Sequence, residues 1–279
     1  MIVNADDFGL TQGVNSAVID AYQAGSVSSA TLMANGPALE GAVKLAENNT
    51  GLGVGLHFNL TLGSPVNPLT RTTRLTTQVG EFHGRTLLAQ KLLLGTISRA
   101  AIHDELESQF ERLQSLGVII THIDSHQHVH GIPAIFDVVA SFCASRQLPM
   151  RVPWVLGLDQ AQQKRGRRYR KWMLDRMLAR STRRWHGKVN WNGGLGSIFD
   201  LDKIPAELDS SYYRRILSAA SPGIFELMVH PARSAEELQG LTRIGLTSVR
   251  EWRYLKSREL PGVISELGFN LRHFGNAWS

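Results

Sequence analysis

The chain has 279 residues, 43% of them hydrophobic and 19% charged, enough to bury a core without disulfide or metal staples. Its net charge of +6 is concentrated: eleven Lys or Arg and one acid fall between Lys164 and Lys188, which gives that segment +10 and leaves −4 elsewhere. A uniformly basic nucleic-acid-binding domain does not fit that distribution, and no window reaches the roughly 18 apolar residues that span a bilayer.

Residues 1–5 form an apolar run that reads as a strand ending at Asp6-Asp7. No basic stretch precedes an apolar one there, so no signal peptide is expected. Thr11 is placed to cap a helix over 14–24. A second strand follows at 28–33, a helix at 38–47, and a third strand at 52–56 that delivers His57. The stretch 63–84, rich in Thr, Pro and Gly, reads as a long active-site loop. Residues 97–116 are an amphipathic helix, with Ile102, Leu106, Phe110 and Leu113 at helical spacing. Gly117 ends it, and a strand over 118–124 leads directly into His126, His128 and His130.

A helix over 132–146 comes next. It contains Cys143, the one cysteine, expected to be a buried hydrophobe. A strand is expected at 150–155, then the basic segment, helical from about 164 to 184. A buried strand over 224–229 ends at His230-Pro231, and a helix over 248–257 and a strand over 268–274 complete the chain. A single cysteine and no leader fit a cytoplasmic protein.

Strands alternating with helices imply parallel βαβ units. Asp6, His57, His126 and His230 all stand at or just past strand C-termini, where α/β barrels carry their active sites. The expected architecture is therefore a single-domain, distorted (β/α) barrel of TIM-barrel type, with a basic helical insertion or lid at about 160–188.

Adjacent carboxylates at a strand end point to opposite sides if alternation holds, so Asp6 and Asp7 are suited to different tasks; either one could also simply cap the next helix. The segment 121–130, THIDSHQHVH, packs four histidines and an aspartate into ten residues. In an extended chain His126, His128 and His130 would share a face. Neutral imidazole is the commonest nitrogen ligand of transition metals. A carboxylate with two imidazoles leaves coordination positions open for water and substrate, and a second carboxylate and third histidine can act as base and acid.

The strings VNADDFG at 3–9, GLHFNLT at 55–61, THIDSHQHVH at 121–130 and VHP at 229–231 resemble the YdjC-like carbohydrate deacetylases, a group with chitooligosaccharide deacetylases and a hopanoid-biosynthesis-associated branch. The resemblance is tightest before residue 155. It implies that Asp7, His57 and His126 bind one divalent metal ion, that Asp6 is the general base and that His230 is the general acid. Asp124 and His128, in the same motif, would orient the ligands. The implied reaction removes acetyl groups from N-acetylated sugars, whether amino sugars or glycolipids. Ligand softness favours zinc, manganese, cobalt or nickel, and magnesium with several waters also fits. A homodimer is a further implication.

The arginines of 160–188 have no counterpart in the resemblance. A solvated helix face is the plain reading, and an anionic surface, a phosphorylated sugar or a membrane face, is expected before nucleic acid. Trp154, Trp172, Trp185, Trp191 and Tyr169 lie near or within the segment and either dock the helix or serve a sugar. Two other functions fit parts of the pattern: a barrel metallohydrolase acting on a phosphoester or another amide, and a non-enzymatic module that binds anionic surfaces.

Overall fold

In the computed structural model, which describes residues 1–153, 165–201, 204–220 and 223–279, strand and helix alternate from the first residues onward. In chain order the elements are β1 (Ile2–Phe8), α1 (Gln12–Gln23), β2 (Ser29–Leu32), α2 (Leu39–Glu47), β3 (Gly53–Phe58), α3 (Arg85–Leu93), α4 (Arg99–Ser115) and β4 (Ile120–Ser125). Then come α5 (Pro133–Arg146), α6 (Arg165–Trp185), β5 (Gly194–Gly196), α7 (Ser210–Ser218), β6 (Phe225–Val229), α8 (Gly245–Leu255) and α9 (Glu259–Glu266). Local chemistry sets the ends: the Thr11 hydroxyl caps α1 by accepting from the Val14 amide at 3.1 Å, and Pro133 opens α5 where its missing N–H costs nothing.

The strands form one parallel sheet in the order β4-β3-β2-β1-β6-β5. Single bridges from Met150 to Ile123 of β4 and to Trp191, just before β5, link the two edges. The result is a single-domain distorted (β/α) barrel. Cys143 is fully buried on α5. No helix among the described residues is long and apolar enough to cross a membrane.

Side-chain alternation sorts the strands into two environments. Val3, Ala5, Ala30, Leu32, Val54, Leu56, Ile123 and Leu227 join the apolar core shared with the helices. Their alternate neighbours Asn4, Thr31, His122, Asp124 and Glu226 are buried and bond to one another or to Arg151 across the barrel. The hydrophobic core is thus a shell between sheet and helices, and the barrel axis is polar. Strand β3 makes room inside with glycine: a Cβ on Gly55 would lie 2.5 Å from the His122 ring, and one on Gly53 would lie 2.7 Å from His273.

Three expectations change. Over its described part, 150–153, the strand expected at 150–155 reduces to the bridge at Met150, because Asn192 takes the place of a ladder: its side-chain oxygen accepts from the Val152 amide at 2.6 Å and its nitrogen donates to the Val152 carbonyl at 3.0 Å. Pro153 then has no N–H to offer. Trp154, Gln160 and the residues up to Lys164 lie outside the described residues. The strand at 268–274 is instead coil leading to a 3₁₀ turn at Phe274–Asn276; it seals the barrel base, with Phe274 buried and stacked 4.0 Å from His122. The loop 63–84 carries a 3₁₀ turn, Pro68–Thr72, and α3 follows it unannounced, since Leu88 is the only residue it fully buries.

Candidate metal centre and active cleft

Two adjacent carboxylates reach one cleft because β1 is bulged. Its register against β2 gains one residue between Ala5 and Phe8, and Asp7 takes φ 65°. Regular alternation would send Asp7 toward the helices; the bulge turns it back beside Asp6. The expectation that the pair point to opposite sides fails for this reason. Asp is among the residues that tolerate left-handed backbone.

Asp7 Oδ1 lies 2.8 Å from His126 Nδ1 and 3.2 Å from His57 Nε2. One donor atom from each of the three residues falls within 4.8 Å of the others, and all three side chains are buried. His57, next to last in β3, is fixed from behind: its Nδ1 is 2.6 Å from Asp124 Oδ1 and 3.1 Å from the Thr31 hydroxyl. An N–H at Nδ1 donating to Asp124 leaves Nε2 as a lone-pair donor facing Asp7.

His126, His128 and His130 do not share a face. Gln127 and His128 both have left-handed backbone, so 126–131 coils into a 3₁₀ segment instead of extending. His126 meets Asp7; His128 lines the cleft with its Nδ1 buried and unpaired. His130 turns into the interior, between the Ser125 hydroxyl and the Arg151 carbonyl, the latter at 3.0 Å from Nε2. That assigns the His130 proton to Nε2, and burial then lowers its pKa to about 4.

The charges of this cluster call for a cation. Burial opposes ionisation of Asp7, yet the His126 and His57 rings hold it well below the usual carboxylate range. Burial opposes charging of His57, yet Asp124 with Asp7 and Asp6 raises it to about 10. A site that pulls a proton onto an imidazole so strongly also favours a metal ion, which replaces that proton on binding. His126 Nε2 is buried with no hydrogen-bond partner among the described residues. Two imidazoles and one carboxylate, each offering one donor atom, fit a divalent ion.

Asp6 and His230 stand beside this cluster. Asp6 Oδ2 is 3.8 Å from His230 Nε2. Arg151 grips both Asp6 oxygens at 2.6 Å and Asn4 donates to one at 2.9 Å. His230 follows β6 directly; its amide donates to Glu251 of α8 at 2.8 Å, and Phe199 meets its ring edge-on at 5.4 Å. Burial lowers the His230 pKa, with Asp6 and Asp7 acting against the shift. All five expected residues, with His128, Phe199, Met228 and Arg85 of α3, line one cleft of about 330 Å³.

Four participants were not read from the sequence: Arg151, Glu226, Glu251 and Phe199. Arg151 is fully buried and also holds Asp124 at 2.7 Å and Glu226 at 2.6 Å. A signal did exist for two of them. Arg151 and Glu226 interrupt apolar runs expected to be buried strands, and charged residues are almost never buried without a partner. Phe199 sits on a 3₁₀ turn with no periodicity to mark it. Among the described residues, none from α6 lines the cleft. Trp185 binds Asp137 of α5 instead, at 3.0 Å.

The family described as YdjC-like protein matches residues 1–266. A chitooligosaccharide deacetylase of Enterobacter sp. (strain 638) is 35% identical over 278 residues, covering 98% of this chain and 97% of its own.

The chain belongs to the YdjC-like family.

A carbohydrate deacetylase of Brevibacillus brevis is 33% identical to this YdjC-like chain, with 98% of each covered. Another from Geobacillus stearothermophilus reaches 47%, but over 150 residues, 54% of this chain and 58% of its own. Among solved structures, one from Enterococcus faecalis V583, described as a candidate cellobiose-phosphate cleavage protein, superposes with a TM-score of 0.79 at 25% identity, covering 98% and 96% of the two chains. The YdjC-like fold is therefore shared along nearly the whole length.

Proposed function

We propose that this chain is a divalent-metal-dependent hydrolase that removes the acetyl group from an N-acetylated sugar, free or carried on a lipid. One observation carries the reading: three ligand donors converge within 4.8 Å on the floor of a cleft that also holds a clamped carboxylate and a histidine 3.8 Å apart. The relatives named as carbohydrate and chitooligosaccharide deacetylases support the choice of bond.

Asp7, His57 and His126 would hold the ion, which when bound supplies Lewis-acid polarisation of the acyl oxygen and a more acidic water. Asp6, fixed by Arg151 and Asn4, takes the proton of the attacking water on Oδ2. His230 Nε2 gives a proton to the departing amine, so amide and water become acetate and a free amino sugar. Asp124 keeps His57 Nδ1 protonated and Nε2 available. Phe199 offers an aromatic face or edge beside the acid.

The test is acetate release. Protein stripped of metal is offered N-acetylglucosamine, chitooligosaccharides and a lipid-linked N-acetylglucosamine, with zinc, manganese, cobalt, nickel or magnesium restored one at a time. Metal-restored acetate on any substrate supports the reading and names the ion. No acetate from any of these substrates with any of the ions, from protein that calorimetry shows to bind metal, overturns it.

A further inference from the structure

Helix α6 has two faces with different chemistry. Leu178, Ser181 and Thr182 are buried, and Trp185 is half-buried with its indole nitrogen on Asp137. At 100° per residue these four positions cluster on one side of the helix. Trp172, Met173, Arg176, Arg180 and Arg183 fall on the opposite side, and all five are exposed: Trp172 is 50% accessible and Met173 42%. The Arg176 guanidinium lies 4.8 Å from the Trp172 ring centre. A shallow surface groove runs along this face, from Trp172 to Arg183.

A face kept in water for solubility needs charge and gains nothing from an exposed Trp and Met. A face for nucleic acid alone needs charge and stacking rings, but not a thioether. Arginines clustered with an exposed tryptophan and methionine on the outer side of a docked helix suit an anionic bilayer surface, the cations meeting headgroups and the indole the membrane–water interface. The surrounding segment carries +10 while the rest of the chain carries −4, so attraction to an anionic surface would orient the molecule with this side toward it.

We propose that the outer face of α6, through Trp172, Met173, Arg176, Arg180 and Arg183, docks the protein peripherally on a bilayer of anionic lipids. This does not depend on the deacetylase reading, because none of these residues lines the cleft.

Co-sedimentation of the full chain with vesicles tests it. Binding to phosphatidylglycerol-containing vesicles is expected at low salt, none to pure phosphatidylcholine, with a steep decline as salt rises. Each basic residue at an anionic surface contributes about fivefold, so Arg176→Ala, Arg180→Ala and Arg183→Ala together should weaken binding roughly a hundred-fold. Trp172→Ala should weaken it several-fold, by an amount that persists at high salt. All four substitutions are on an exposed face, so an unchanged unfolding midpoint certifies the variants. Absence of binding to anionic vesicles overturns the proposal, as does binding that the triple variant retains. Equal binding of wild type and Trp172→Ala, with single-stranded RNA displacing the vesicles, would assign the face to polyanions rather than to lipid.

Discussion

Arg151 holds Asp6 by both carboxylate oxygens, one on each terminal nitrogen at 2.6 Å, in a setting with no solvent exposure of the guanidinium. The same side chain reaches Asp124 on β4 and Glu226 on β6, so one guanidinium ties β1, β4 and β6 together. Removing one partner of a buried charge network leaves the others uncompensated, at a cost of about 3–5 kcal/mol. Arg151→Met should therefore lower unfolding stability by that order in a denaturant titration. Arg151→Lys keeps the charge but not the two-pronged grip, and should lie between. A variant as stable as wild type would mean that the network contributes nothing to folding.

Metal and base should separate by substitution. His57→Ala removes a proposed ligand, so it should lose both metal binding, read by calorimetry, and acetate release. Asp6→Asn keeps the ligands and should bind metal near normally while turnover falls by about 100-fold or more, the scale of a lost general base. Retention of most of the rate in Asp6→Asn would remove Asp6 from that role.

A bound ion also stabilises whatever state binds it. At a free metal concentration 100 times its dissociation constant the gain is about 2.7 kcal/mol. Adding the activating metal to stripped wild type should raise the unfolding midpoint by several degrees. The same addition should leave His57→Ala unmoved.

Glu226 gives stability a pH dependence. Burial pushes its carboxyl up to about 7 against the pull of Arg151, and its Oε2 is buried with no partner, a place for a proton. Between an ordinary value near 4.5 and about 7 the folded state holds the proton that the unfolded state has lost. The sign follows: this contribution is fully present below about 4.5, declines as pH rises, and is gone above about 7. Glu226→Gln keeps an acceptor for Arg151 and cannot titrate. Its unfolding free energy should show a flatter profile over that window than wild type, as read by denaturant unfolding at a series of pH values.

Gly55 should tolerate no side chain. Its Cβ would meet three His122 ring atoms at 2.5–2.7 Å, and that ring is pinned by Phe274 and Asn4. Gly55→Ala should cost on the order of 1–3 kcal/mol, the usual cost of overpacking, while Gly84→Ala, with open space around it, should be close to neutral.

What could be read from the sequence was whatever repeats or clusters. Parallel strands announced themselves as apolar runs, and His57, His126 and His230 stand at strand ends as expected. What escaped depends on contacts between distant segments. The Arg151–Asp6 pair spans 145 residues, and the Asn192 side chain that replaces a strand at Val152 does so from 40 residues away. β5 is Gly-Leu-Gly, too short and too plain to carry a pattern. The coil of 126–131 turns on two left-handed residues, neither of them glycine, which composition does not announce.

The bulge in β1 bears on how this strand tolerates length changes. With the extra residue, two neighbouring carboxylates face the cleft; without it, a regular strand presents only one there. Deleting either Asp6 or Asp7 would therefore leave β1 able to pair with β2 and β6 while halving the acidic equipment of the mouth. The surviving aspartate would inherit a single position, ligand or base, whichever the pleat dictates. A one-residue gap at this point in a relative should accordingly mark a protein that keeps the barrel and lacks the proposed reaction.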